Sequence, residues 1–85
     1  MPDPRPQFSL IILSPSQKYY DGPAVSVSAT NKAGAFDILE GHTNFFSLLL
    51  PGVIKVDTGD KPIEISVSSG IIKVTQDKVT LFVNV

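Results

Sequence analysis

Val25-Ser26-Val27-Ser28-Ala29-Thr30 alternates apolar and hydroxyl-bearing side chains without a break, and Ile63-Glu64-Ile65-Ser66-Val67-Ser68 repeats the pattern downstream. Successive side chains of an extended chain point to opposite faces, so a period of two sends one set to a core and the other to solvent. A helix would spread both sets around its axis. Each stretch therefore reads as a strand with one buried face. The same template fits Ile54 and Val56 against Lys55 and Asp57, and Ile72 and Val74 against Lys73 and Thr75. It also fits Val79, Leu81, Val83 and Val85 against Thr80, Phe82 and Asn84, and no window supports a helix of useful length.

Between these runs, Asp21-Gly22-Pro23, Asn31-Lys32-Ala33-Gly34, Pro51-Gly52, Thr58-Gly59-Asp60 and Gln76-Asp77-Lys78 supply the residues that reverse a chain. Strands are expected at 7–13, 16–20, 24–30, 35–39, 44–50, 53–57, 62–68, 70–75 and 78–84. About ten short strands in so small a chain imply an all-β fold, a two-sheet antiparallel β-sandwich. Met1-Pro2-Asp3-Pro4-Arg5-Pro6 has three prolines and no apolar stretch, so 1–6 reads as a flexible leader and 7–85 as one domain.

Charge and composition exclude several function classes. Seven basic and eight acidic side chains give a formal charge of −1, and Arg5, Lys18, Lys32, Lys55, Lys61, Lys73 and Lys78 are scattered singly. Binding to nucleic acid or an anionic membrane needs clustered cations, so neither partner is expected. The lack of cysteine excludes disulfides and thiolate metal sites. The apolar runs at 10–13 and 45–50 fall far short of the ~20 residues a spanning helix needs, so no direct membrane insertion is expected.

Little in the chain suits catalysis. His42 is the one side chain fit for base work at neutral pH, and no nucleophile elbow surrounds it or the nearby hydroxyls. With Asp37 and Glu40 it makes a weak metal-ligand set. No glycine-rich loop followed by Lys and Ser or Thr opens a helix to cradle phosphate. Catalytic, metal, nucleotide and cofactor sites are accordingly not expected. A stand-alone ligand-binding sandwich remains open, with Asp37, Glu40, His42 and Asn44 as a polar rim for a small molecule or sugar.

Two segments are apolar on both phases: Leu10-Ile11-Ile12-Leu13 after Phe8, and Phe45-Phe46-Ser47-Leu48-Leu49-Leu50. Only one face of a strand in a two-layer sandwich reaches the core, so some of these side chains lie outside. Either loops fold over them or they form a protein-binding patch.

The segment Gly34-Ala35-Phe36-Asp37-Ile38-Leu39-Glu40-Gly41-His42-Thr43-Asn44-Phe45-Phe46, followed by Pro51-Gly52-Val53-Ile54-Lys55-Val56, resembles the N-terminal β-sandwich domain of the epsilon subunit of F-type ATP synthases. Ordered similarities at Phe8-Ser9-Leu10-Ile11-Ile12-Leu13-Ser14-Pro15, Tyr19-Tyr20-Asp21-Gly22, Ser68-Ser69-Gly70-Ile71-Ile72-Lys73-Val74 and Asp77-Lys78-Val79-Thr80-Leu81 extend it over nearly the whole chain. The resemblance implies a ten-stranded sandwich that serves as a non-catalytic rotor subunit of the central stalk. Such a subunit links the gamma subunit to the c-ring and supports proton-driven ATP synthesis. It sits peripherally, within F1, on the cytoplasmic face of the inner (plasma) membrane.

By the same resemblance, Ser14, His42 and Ser47 face the gamma subunit, with Phe45, Phe46 and Leu49 of the apolar strand adding to that interface. A loop of Asn31, Lys32, Ala33, Gly34, Ala35, Phe36 and Asp37 faces the c-ring. Several residues depart from the family pattern: Asp37 replaces a usual glycine, Glu40 and Asn44 replace prolines, Leu50 replaces a common lysine, Ser69 replaces a glycine, and Ala35 replaces an acidic residue. Family members usually continue into two helices that bind ATP in some bacteria and inhibit hydrolysis. A chain ending at Val85 is expected to do neither.

Overall fold

The computed structural model describes residues 5–41, 43–76 and 78–85. Nine strands run through them: β1 (Phe8–Leu13), β2 (Lys18–Ala24), β3 (Ser26–Asn31), β4 (Gly34–Leu39), β5 (Phe45–Leu49), β6 (Gly52–Asp57), β7 (Pro62–Val67), β8 (Ser69–Thr75) and β9 (Lys78–Asn84). They form a five-stranded sheet, ordered β2-β1-β9-β8-β5, and a four-stranded sheet, ordered β4-β3-β6-β7. The expected two-sheet sandwich is borne out, with nine strands among the described residues rather than about ten.

Two details differ from the sequence expectation. The pairing is not wholly antiparallel: β1 runs parallel to β9, so the first and last strands lie side by side and the rest of the domain forms the crossover between them. Asp21-Gly22-Pro23 does not turn the chain either, because β2 continues through it to Ala24. Proline is tolerated there because β2 is an outermost strand, with ladder bonds on one side only. The chain leaves the sheet one residue after β2, where the Val25 N–H donates to the Asp57 carbonyl oxygen of the opposite sheet at 2.7 Å.

Alternation delivers the core as anticipated. Phe8, Leu10 and Ile12 of β1, Ile72 and Val74 of β8, and Val79, Leu81 and Val83 of β9 meet Val27, Ala29, Ile38, Ile54 and Val56 of the other sheet in one buried cluster. Val85, which shares their phase, is exposed because it lies past the last ladder pair, Ser69 with Asn84. The buried Thr58 is satisfied within its turn: its hydroxyl donates to the Lys61 carbonyl oxygen at 2.7 Å and accepts the Lys61 N–H at 3.1 Å.

Gly70 shows how closely neighbouring strands of the five-stranded sheet fit. A Cβ there would come within 2.9 Å of the Phe82 carbonyl oxygen and 3.3 Å of a Leu49 methyl group. The near obstacle is backbone of a central strand and cannot swing aside. Gly70→Ala is therefore expected to destabilise the domain by about 1–3 kcal/mol, the usual range for overpacking, as measured by denaturant unfolding.

Candidate functional site

The outward positions of the five-stranded sheet fall into register across four strands. Leu48 of β5 pairs with Ile71 of β8, Ile71 with Phe82 of β9, and Phe82 with Leu13 of β1. Their sequence neighbours Leu49, Ile72, Leu81 and Ile12 are in the core. Four apolar side chains thus form a ladder on the outer face. A second row places Phe46 beside Lys73, Thr80 and Ile11. Leu48 is 67% exposed, Phe46 64% and Phe82 48%.

Along the ladder runs an open groove of about 780 Å³, with Leu13, Pro15, Leu48, Leu50, Ile71 and Phe82 in its walls. Its polar rim is built by turns. Ser14 holds the β1–β2 turn, where its Oγ accepts the Gln17 N–H at 3.2 Å and its own N–H donates to the Gln17 carbonyl oxygen at 2.8 Å. At the same end of the sheet, Asn84 Nδ2 donates to Ser69 Oγ at 2.9 Å, and the Asn84 carbonyl oxygen accepts the Ser68 N–H at 2.8 Å. Lys32 reaches the rim from the β3–β4 turn.

The outer face of the four-stranded sheet has the opposite character. Asp37, Ser28, Lys55 and Glu64 line up across all four strands, and Ser28 Oγ donates to Asp37 Oδ1 at 2.6 Å. This row is wet where the ladder is greasy, with Leu39 and Val53 exposed elsewhere on the four-stranded face. At the far edge of the five-stranded sheet, the Tyr20 hydroxyl donates to the Pro23 carbonyl oxygen. Burial, and then the Asp21 and Asp60 carboxylates, hold its pKa above the ordinary phenol value, so the donor proton is in place at neutral pH.

The expected gamma-facing residues separate in space. Phe46 points outward and Ser14 sits on the groove rim, whereas Leu49 is only 5% exposed and belongs to the core. Phe45 is half-buried against Phe36, and the Ser47 hydroxyl is engaged by Asn31 and by the Leu48 carbonyl oxygen. His42 lies outside the described residues. The expected c-ring loop is a hairpin in which only Lys32 and Ala33 stand outside strands, with Ala35 and Asp37 outward and Phe36 inward.

Sequence reasoning named neither Ile71 nor Phe82 as site residues, and it held Leu13 and Leu48 only as members of the two apolar segments that could form a protein-binding patch. The signal was present, because an apolar residue on the polar phase of an alternating strand, as Phe82 is between Leu81 and Val83, has no core to enter. The polar rim envisaged for a small ligand does not border this groove: Asp37, Glu40 and Asn44 lie elsewhere on the surface. Among the described residues no His, Cys, Asp and Glu cluster suits a metal ion, and no helix is long and apolar enough to cross a membrane.

The family model for the beta-sandwich domain of the ATP synthase delta/epsilon chain matches residues 7–85. The chain belongs to this family. The ATP synthase epsilon chain of Sulfurimonas denitrificans is 33% identical over 78 residues, which are 91% of this chain and 60% of that protein. That of Francisella tularensis is 37% identical over 73 residues, covering 86% of this chain and 50% of the relative. The chain thus spans about half to three-fifths of these relatives. It covers 84% of the Frankia casuarinae epsilon chain, at 38% identity over 71 residues.

Two solved structures share the delta/epsilon sandwich fold at low identity. One is a chain of the central stalk and c-ring of the Tetrahymena thermophila mitochondrial ATP synthase, with a TM-score of 0.81 at 14% identity over 95% of this chain and 66% of that one. The other comes from the Euglena gracilis mitochondrial ATP synthase, with a TM-score of 0.84 at 22% identity over 93% of this chain and 52% of that one.

Proposed function

We propose that this chain is the non-catalytic sandwich of a rotary ATP synthase central stalk, gripping the gamma subunit and meeting the c-ring at the membrane surface. The observation that supports it most is the outward-facing ladder Leu13–Phe82–Ile71–Leu48 in a member of the delta/epsilon family. A contiguous apolar face of this kind is costly to leave wet and marks a protein interface, and its polar rim matches the usual anatomy of one. The gamma subunit covers this face, and the β3–β4 hairpin at its edge contacts the polar loops of the c-ring. The subunit then rides peripherally, in F1, on the cytoplasmic side of the membrane.

Co-expression with a tagged gamma subunit from the same source tests the reading. A stoichiometric complex that survives size exclusion is the expected result. Gamma recovered without this chain, at concentrations where both are folded, would refute it.

A further inference from the structure

The β3–β4 hairpin and β5 belong to different sheets, yet several contacts fasten them at one corner. Asn31 uses both ends of its side chain. Its Oδ1 accepts the Ala33 N–H at 2.8 Å, closing the turn, while its Nδ2 donates to Ser47 Oγ at 3.0 Å in a part-buried contact. Ser47 Oγ donates onward to the Leu48 carbonyl oxygen at 3.1 Å. Nearby, the Leu50 N–H donates to the Thr30 carbonyl oxygen at 2.9 Å. On the core side, the Phe36 and Phe45 rings meet edge to face with centroids 5.5 Å apart.

β4 and β5 are each an outermost strand, hydrogen-bonded within its sheet on one side only. Their positions relative to each other therefore rest on contacts of this cross-layer kind. The turn and the ladder are also adjacent, since Lys32 borders the groove and Ser47 directly precedes Leu48.

We propose that Asn31 is a positioning residue that latches the β3–β4 turn to β5, so that the turn and the apolar ladder move as one stiff body. A side-chain amide suits this place because it donates and accepts at once. Gly34, at φ +121°, takes the backbone conformation that lets β4 start directly after the turn that Asn31 closes. In the rotor this latch carries load between the c-ring end and the gamma end, and in that respect alone it rests on the function proposed above.

The test compares wild type, Ser47→Ala and Ser47→Thr. Ser47→Ala removes the acceptor for Asn31 Nδ2 but keeps the turn's own Asn31–Ala33 bond, whereas Ser47→Thr retains the hydroxyl on a residue that strands favour. In Ser47→Ala, amide exchange at Ala33 and Leu50 is expected to rise about three- to tenfold, the span that one neutral hydrogen bond supports. In the assembled complex, the ratio of ion-driven ATP synthesis to ATP hydrolysis should fall. Ser47→Thr should restore both readouts.

Unchanged exchange in Ser47→Ala would overturn the latch, and raised exchange with an unchanged synthesis ratio would overturn its part in load transfer. If wild type failed to bind gamma, the functional reading would fall by itself. The exchange comparison, made on the free chain, would still decide the latch.

Discussion

Leu48→Asp is expected to abolish capture of the gamma subunit while leaving the sandwich folded. In the free chain Leu48 is 67% exposed on an outermost strand, so a carboxylate there stays hydrated and the folded state loses at most about 1 kcal/mol of strand preference. Covered by a partner, the same carboxylate faces Ile71, and the lysines bordering this face, Lys73 in the next row and Lys32 on the groove rim, do not stand opposite it. An uncompensated buried charge costs several kcal/mol, so affinity should fall about 10²- to 10³-fold. Phe82→Asp, in the middle of the ladder, should behave alike.

Leu39→Asp provides the control. Leu39 is also exposed, but it stands on the outer face of the four-stranded sheet, in register with Ser26. Circular dichroism and thermal unfolding should show all three variants folded, with titration against gamma separating the first two from the third. Wild-type affinity in both Leu48→Asp and Phe82→Asp would move the interface off this face.

Strand phase also determines how much of the fold is legible in the sequence. Where apolar and polar residues alternate strictly, as in Val25 to Thr30, the period alone fixes which side is buried, and Val27 and Ala29 are in the core as expected. The double-apolar segments resisted this reading. In 45–50 both phases are largely apolar and the one hydroxyl, Ser47, shares the phase of Leu49, so the sequence could not say that Leu49 turns in and Leu48 out. Register against β8 decides it, by placing Leu49 on Gly70 and Leu48 on Ile71.

The latch was less legible still. Asn31 and Ser47 are sixteen residues apart, and a hydrogen bond between two sheets leaves no periodic trace. Asn31 read as a turn residue, which it also is. The segment Asp21-Gly22-Pro23 misled for a related reason: its turn chemistry is real, but an outermost strand imposes no penalty on proline, and pairing with β1 overrode the local signal.

The mirror image of the Leu48 result is expected one residue away from Phe82. Leu81 is fully buried on β9, between Ile12 of the parallel β1 and Ile72 of the antiparallel β8. Leu81→Ala removes its contacts and leaves a cavity, a change that costs about 2–5 kcal/mol. The upper half of that range is expected, because β9 is paired on both sides and cannot sink into the void. A domain of this length has roughly 4–13 kcal/mol of stability in all. At about 4–8 °C per kcal/mol for a domain of this size, the melting temperature should drop by tens of degrees. Well below the lowered melting point, Leu81→Ala should still bind gamma, because its outer face is untouched; Phe82→Asp, which gives up a half-buried ring but opens no core cavity, should lose much less melting temperature and not bind. Adjacent residues with exchanged phenotypes would establish that one face of β9 builds the domain and the other docks it. Loss of binding in Leu81→Ala under conditions where it is fully folded would mean that the two faces are not separable, and that the partner reads the core packing as well as the ladder.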